Sequence, residues 1–281
     1  MSAARVPVVL LHGLTDSAAC WPSVRTRYAD RTVVALDARG HGGVPLPDEP
    51  FTIAALAADA AAALRELALG PALVVGHSMG GVTAEELAIT APELVAALVL
   101  EDPAWHEDGR LRAAADDAGA VGLGGAEAAA VPAVPRDDER GRPTWLGPAI
   151  ASFAGRTVEQ IAARGRLDNP DWPQEEILGW AQAKTGVDPR LAEVPHDWVA
   201  RDWVGALSGV RVPVTLLTAE PGRSVVTPGQ AARAASVLGL APDGLLTHVP
   251  VPGVGHNIRR EAPAAFLAAL DAAVARADAA A

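Results

Sequence analysis

The residues Gly76-His77-Ser78-Met79-Gly80-Gly81 set a serine inside a G-x-S-x-G pattern. An apolar run, residues 72–75, precedes it directly, and a helix candidate at 80–90 follows directly. A serine on a sharp turn between strand and helix is driven into strained backbone angles, and flanking glycines let neighbouring chains approach closely. Its hydroxyl then stands clear of the sheet at the carboxyl edge. Ser78 is the candidate nucleophile. A solvated serine on a chance Gly-rich turn is the competing reading, and the strand–turn–helix context weighs against it.

A serine hydroxyl needs a base. Seven histidines are available: His12, His41, His77, His106, His196, His248 and His256. His256 lies in Pro252-Gly253-Val254-Gly255-His256-Asn257, after the last strand candidate and before the C-terminal helix. That loop leaves the sheet at the same edge as Ser78, so His256 is the candidate base. His77 is adjacent in sequence, but on so tight a turn its side chain should point away from Ser78. The developing oxyanion needs N–H donors. Met79 N–H, at the start of the helix after Ser78, is one. The loop after the first strand, His12-Gly13-Leu14-Thr15-Asp16, should supply the second, and Leu14 N–H is chosen because Gly13 allows the turn that aims it.

These groups need a frame. Short Val- and Leu-rich runs at 6–11, 33–36, 72–75, 98–100, 214–218 and 246–249 read as strands. Several lack alternation, as strands buried on both faces do. Helical spacing marks 52–67, with Thr52 as N-cap and Gly70-Pro71 as stop, and also 80–90, 228–238 and 262–280. Alternating strands and helices imply an α/β fold with a parallel sheet. Residues 103–212 break the rhythm and hold no convincing buried strand. Their stretch around 113–143 is rich in Ala, Gly, Pro and Asp and is expected to be partly flexible. Short helices are expected near 175–184 and 197–207. The chain has seven Trp against three Phe and one Tyr, and six of the Trp fall in this insertion: Trp105, Trp145, Trp172, Trp180, Trp198 and Trp203. They serve either as an apolar wall over Ser78 or as the insertion's own core.

On four pieces the chain resembles the α/β-hydrolase-fold serine hydrolases that carry a helical cap, of the esterase or lactonase-like type. The pieces are His12-Gly13, Asp37-Ala38-Arg39-Gly40-His41-Gly42, Gly76-His77-Ser78-Met79-Gly80-Gly81 and Gly253-Val254-Gly255-His256-Asn257, in that family's order. The resemblance implies a hydrolase core at 1–102 and 213–281, a cap at 103–212, and a structural role for Arg39, Gly40 and His41. The chain starts almost directly at the family's third strand, so about six parallel strands are expected without the N-terminal pair.

The resemblance also implies a carboxylate behind His256. Its commonest position follows strand 214–218, where Gly222 stands in place of Asp and Glu220 is the carboxylate in reach. Relatives resembling haloalkane dehalogenases or zearalenone lactonases take the acid from the preceding strand. Asp102 lies there, 24 residues after Ser78, in Leu100-Glu101-Asp102-Pro103. Asp102 is the first choice, with Glu220 and Glu101 open beside it. Ser78 itself excludes the dehalogenases and epoxide hydrolases of this fold, which carry Asp at the nucleophile position.

Composition removes other classes. Apolar residues make up 50% and charged residues 20%, a globular balance. The net charge of −11 argues against nucleic acid as a partner. A single cysteine, Cys20, leaves no internal disulfide or Cys-based zinc cluster. No P-loop, GxGxxG or HExxH pattern occurs, so no cofactor or metal is expected. No targeting segment or roughly 18-residue apolar span is visible, so a cytoplasmic protein without a membrane partner is expected. The expected activity is hydrolysis of a carboxylic ester or lactone of a small, mostly apolar substrate through an acyl-enzyme on Ser78. Carbon–carbon bond hydrolysis on the same residues is one alternative, and a triad-retaining small-molecule receptor is the other.

Overall fold

The computed structural model describes residues 5–105, 141–197 and 201–281. Six strands form one parallel sheet: β1 Val8–Leu11, β2 Val33–Leu36, β3 Ala72–His77, β4 Val95–Glu101, β5 Val214–Thr218 and β6 Leu246–Pro250. Their spatial order is β2-β1-β3-β4-β5-β6. The unbroken apolar runs have a direct cause. Val8 and Leu10 face a core with Val24, Phe266 and Leu270, while Val9 and Leu11 face the opposite core with Leu56, Val82 and Leu87. A strand covered on both sides has no polar face, so period-2 alternation vanishes.

Helices α2 (Ile53–Leu67) and α3 (Met79–Thr90) cover one face, with Pro228–Leu238 beside them. Helix α1 (Pro22–Arg27) and the C-terminal helix Pro263–Ala280 cover the other. The segment between β4 and β5 carries α4 (Leu146–Phe153), α5 (Val158–Asp168), α6 (Gln174–Thr185) and α7 (Trp203–Ala206). Helix α8 is Pro228–Leu238, α9 is Ile258–Glu261 and α10 is Pro263–Ala280. Thr157 with Gln160 and Thr227 with Gln230 form reciprocal capping boxes that start α5 and α8.

Several boundaries differ from the sequence reading. Strand β4 starts at Val95 and runs to Glu101, paired with β3 from Ala72 to His77. Thr52 caps α2 as expected, by accepting from Ala55 N–H, but the helix stops at Ala68 in the left-handed region (φ 49) before Gly70 is reached. Of the helix expected at 197–207, residues 198–200 lie outside the described residues and α7 is the α-helical part among those described. Asp202 caps it, and Asp197 instead accepts from Ile53 N–H at the start of α2. Helices α1, α4, α5 and α9 were not anticipated; all but α5 are eight residues or fewer, too short for a clear periodicity.

Trp172 and Trp180 meet edge to face at 6.3 Å and, with Ile161 and Ile177, form a separate core between α5 and α6. Trp105, Trp145 and Trp203 pack against the main core instead. Trp198, His106 and all but 141–143 of the expected flexible stretch lie outside the described residues.

Candidate active site

The strand order reverses at β1: the chain steps from β1 to β2 on one side, then returns to β3 on the other. In open α/β sheets the crevice at such a point, outside the carboxyl ends of the strands, is where ligands sit. The loop after β1 carries Leu14 and the turn after β3 carries Ser78, so both candidate groups flank this point. Four described non-glycine residues have positive φ, and three of them, Thr15, Ser78 and Asp102, follow β1, β3 and β4 at this edge. Strained backbone persists where surrounding structure over-determines it, and functional sites are where it collects.

Ser78 has φ 52 and ψ −115 and stands at the N-cap of α3. The glycines around it are steric requirements. A Cβ at Gly76 would lie 2.1 Å from Gly80 O, and one at Gly80 would lie 2.1 Å from Leu11 O. Helix α3 therefore packs against its own strand and against β1 closer than any side chain permits. Ser78 is partly exposed, while Met79 is buried at the first turn of α3. Met79 N–H and Leu14 N–H have no acceptor among the described residues.

Leu14 N–H is aimed by its own peptide plane. Gly13 O, on the opposite edge of that trans peptide, accepts from Asp16 N–H at 3.0 Å and from His12 Nδ1 at 2.8 Å. A Cβ built on Gly13 would lie 3.3 Å from Ser78 Cβ, so this loop lies against the serine. His12 Nε2 accepts from Ala38 N–H, and His41 Nε2 accepts from Thr15 N–H while its Nδ1 donates to Arg39 O. Burial holds both rings neutral, with His41 pushed down to about 3. Neutral rings can accept and donate at once, which a protonated imidazole cannot.

His256 Nδ1 lies 2.7 Å from Asp102 Oδ2. Asp102 is fully buried, and its carboxylate also accepts from Ser224 Oγ, Val225 N–H (3.0 Å) and Val226 N–H (3.2 Å). With Nδ1 donating to Asp102, His256 Nε2 is left bare. Among the described residues no hydrogen bond joins Ser78 Oγ to His256; such contacts commonly tighten only with substrate in place. Of the other two carboxylates considered, Glu101 binds Arg259 through both oxygens. Glu220 accepts from Gly253 N–H at 2.9 Å and so shapes the loop before His256 without touching its ring. His77 turns away from the serine: its Nε2 donates to His256 O at 3.1 Å, and burial holds its pKa well below the usual histidine range. Cys20 is buried and its thiol is pushed up to about 12 by that burial, which removes it as a nucleophile.

The residues behind Asp102, namely Ser224, Val225 and Val226, were not found in the sequence; nothing in Ser224-Val225-Val226 marks a carboxylate cradle. Asp16, Arg259 and Arg260 were also missed, although two adjacent arginines three residues after His256, next to apolar Ile258, were a legible sign of buried charge. Among the described residues no group of His, Cys, Asp and Glu is arranged to hold a metal ion, and no helix is long and apolar enough to cross a membrane.

Comparison with known proteins adds an independent line. A family model described as the alpha/beta hydrolase family matches residues 8–270. Lipase LipV of Mycobacterium tuberculosis is 41% identical over 110 residues, covering 39% of this chain and 42% of that protein. The sn-1-specific diacylglycerol lipase ABHD11 of Xenopus laevis is 40% identical over 99 residues, covering 34% of this chain and 31% of its own. The match thus spans less than half the length of these curated relatives. The crystal structure of esterase RhEst1 from Rhodococcus sp. ECU1013 superposes with a TM-score of 0.64 at 22% identity, covering 98% of this chain and 92% of that one. At that identity the likeness concerns the fold alone.

Proposed function

From the premise that this chain belongs to the alpha/beta hydrolase family, we propose that it is a serine hydrolase. It cleaves a carboxylic ester or lactone of a small, mostly apolar molecule. The observation that carries the reading is the 2.7 Å contact between His256 Nδ1 and the buried Asp102 carboxylate, at the edge where Ser78 sits in strained backbone. The lipase names of two curated relatives support an ester with an apolar acyl portion.

The chemistry follows from the tautomer. His256 holds its proton on Nδ1 toward Asp102, so Nε2 takes the proton of Ser78 as Oγ attacks the carbonyl carbon. The carbonyl oxygen becomes an oxyanion, and Leu14 and Met79 N–H donate to it. Each such donor is typically worth about 3 kcal/mol of barrier. The imidazolium, stabilised by the Asp102 charge, then gives its proton to the departing alkoxide. Water, deprotonated by His256, hydrolyses the acyl-enzyme, releases the acid and restores Ser78. For a lactone the alcohol and acid leave as one hydroxy acid. The segment carrying α4–α7 acts as the cap over this site and selects the substrate.

Fluorophosphonate labelling with the adduct located by peptide mass spectrometry tests the proposal. A rapid single adduct on Ser78 is expected. No adduct on folded protein refutes an assembled nucleophile and favours a ligand-binding role for the same site.

A further inference from the structure

Six ionisable side chains lie together beneath the loop that follows β1: Asp16, Glu101, Glu176, Lys184, Arg259 and Arg260, none more than 7% exposed. Three are acidic and three basic, so the cluster is neutral. None of them takes part in the bond-making steps above. Burying an ammonium costs several kcal/mol unless it is well paired, and Lys184 is the cationic member that comes from the inserted helix α6, which also supplies Glu176.

Lys184 Nζ donates to Thr15 Oγ1 at 2.6 Å and to Thr15 O at 3.2 Å, and reaches Asp16 Oδ1 at 3.4 Å. Thr15 has φ 64, a region unfavourable for a β-branched residue. With His41 on its N–H, every polar group of Thr15 is held. Arg259 and Arg260 take Asp16 Oδ2 at 3.0 and 2.8 Å. Asp16 N–H in turn bonds Gly13 O, which shares a peptide plane with Leu14 N–H. A continuous chain of contacts therefore runs from the ammonium on α6 to the direction of the Leu14 N–H. Helix α6 is docked along the same segment. Glu176 accepts from Ser23 Oγ at 2.5 Å, and at Gly179 an added Cβ would lie 2.3 Å from Ala19 O. The faces of Phe153 and Trp180, 5.7 and 5.3 Å from Nζ, complete the enclosure.

We infer that Lys184 is a positioning residue for the oxyanion hole: through Thr15 and Asp16, the inserted helix α6 sets where the Leu14 N–H points. The inference rests on the serine-hydrolase reading. It makes the inserted helix part of the transition-state machinery as well as a covering over the substrate.

The test compares wild type with Lys184→Met, which keeps the apolar stem, and Thr15→Val, which keeps the β-branch and removes the hydroxyl. Kinetics on a p-nitrophenyl ester and inhibition by a trifluoromethyl ketone, which binds as a tetrahedral oxyanion, are measured on folded protein. Both variants should lose about 10- to 100-fold in kcat with KM within about threefold. Analogue affinity should fall by the same factor as kcat/KM, and the double variant should be little worse than either single one. A folded Lys184→Met protein with wild-type kcat and analogue affinity overturns the inference, as does a loss confined to KM. If Lys184→Met does not fold, Thr15→Val alone decides by the same criteria. Failure of fluorophosphonate to label wild-type Ser78 would instead remove the serine-hydrolase premise, and the inference with it.

Discussion

Asp102→Asn is the perturbation that best separates the possible acids. The Asp102 carboxylate takes four donors: His256 Nδ1 and Val225 N–H on Oδ2, and Ser224 Oγ and Val226 N–H on Oδ1. An asparagine offers one oxygen and one amide that only donates. With the amide at the Oδ2 place it faces Val225 N–H and donates to His256 Nδ1, which moves the imidazole proton to Nε2 and disables the base. With the amide at the Oδ1 place the tautomer survives, but Val226 N–H faces another donor, at a cost of about 1–3 kcal/mol in stability. In both arrangements the imidazolium loses its counter-charge. Opposite unit charges about 3 Å apart at an effective dielectric near 20 attract by about 5 kcal/mol. If most of that is spent in the transition state, kcat falls by roughly three to four powers of ten. Glu220→Gln should change kcat by less than about threefold, because its amide oxygen can still accept from Gly253 N–H. The assay is p-nitrophenyl butyrate hydrolysis, with circular dichroism to confirm folding. A folded Asp102→Asn protein within tenfold of wild type, or an equal loss in Glu220→Gln, would refute the reasoning.

Ser78→Gly should abolish turnover yet raise Tm by about 2 °C, because glycine adopts φ 52, ψ −115 without strain and the relief of about 1–3 kcal/mol exceeds the added chain entropy; a lower Tm would show that the turn stores no strain. Glu85 is pushed up to about 8 by burial, against the opposing Trp105 indole N–H at 2.9 Å, so the folded state keeps a proton that the unfolded chain releases near its ordinary value of 4.5. That contribution is fully present below pH 4.5 and is lost as pH rises toward 8. Wild type should therefore lose about 2–4 kcal/mol relative to Glu85→Gln between pH 5 and 8 in urea unfolding, and a pH-independent difference would contradict it.

What was readable along the chain was whatever local sterics and periodicity encode. The sharp strand–helix turn that carries Ser78 was legible from Gly76 and Gly80, and the close backbone approaches at those glycines show that turn. The six-stranded parallel sheet was legible because strands covered on both sides must be apolar throughout. His256 was legible as a loop histidine at the correct end of the last strand. The short helices α1, α4 and α9 were hidden, since eight residues or fewer carry too little periodicity. The role of the tryptophans was hidden too, because a side chain that builds a small core and one that lines a pocket have the same composition.

The sequence by itself determined the six strands and the turn that carries Ser78, because each follows from neighbours within a few residues. It put Asp102 first as the carboxylate and left Glu220 and Glu101 open beside it. The tertiary structure gives each of them its partner. It brings Asp102 of one loop and His256 of another, 154 positions apart, to 2.7 Å, and gives Glu101 to Arg259 and Glu220 to Gly253. The same holds for the buried charges under Leu14. In a linear reading nothing ties Asp16, Lys184 and Arg259 to one another, and only their burial together turns them into a frame for the site. Charge pairing in a core depends on which distant segments exclude water from one another, and that is a property of packing.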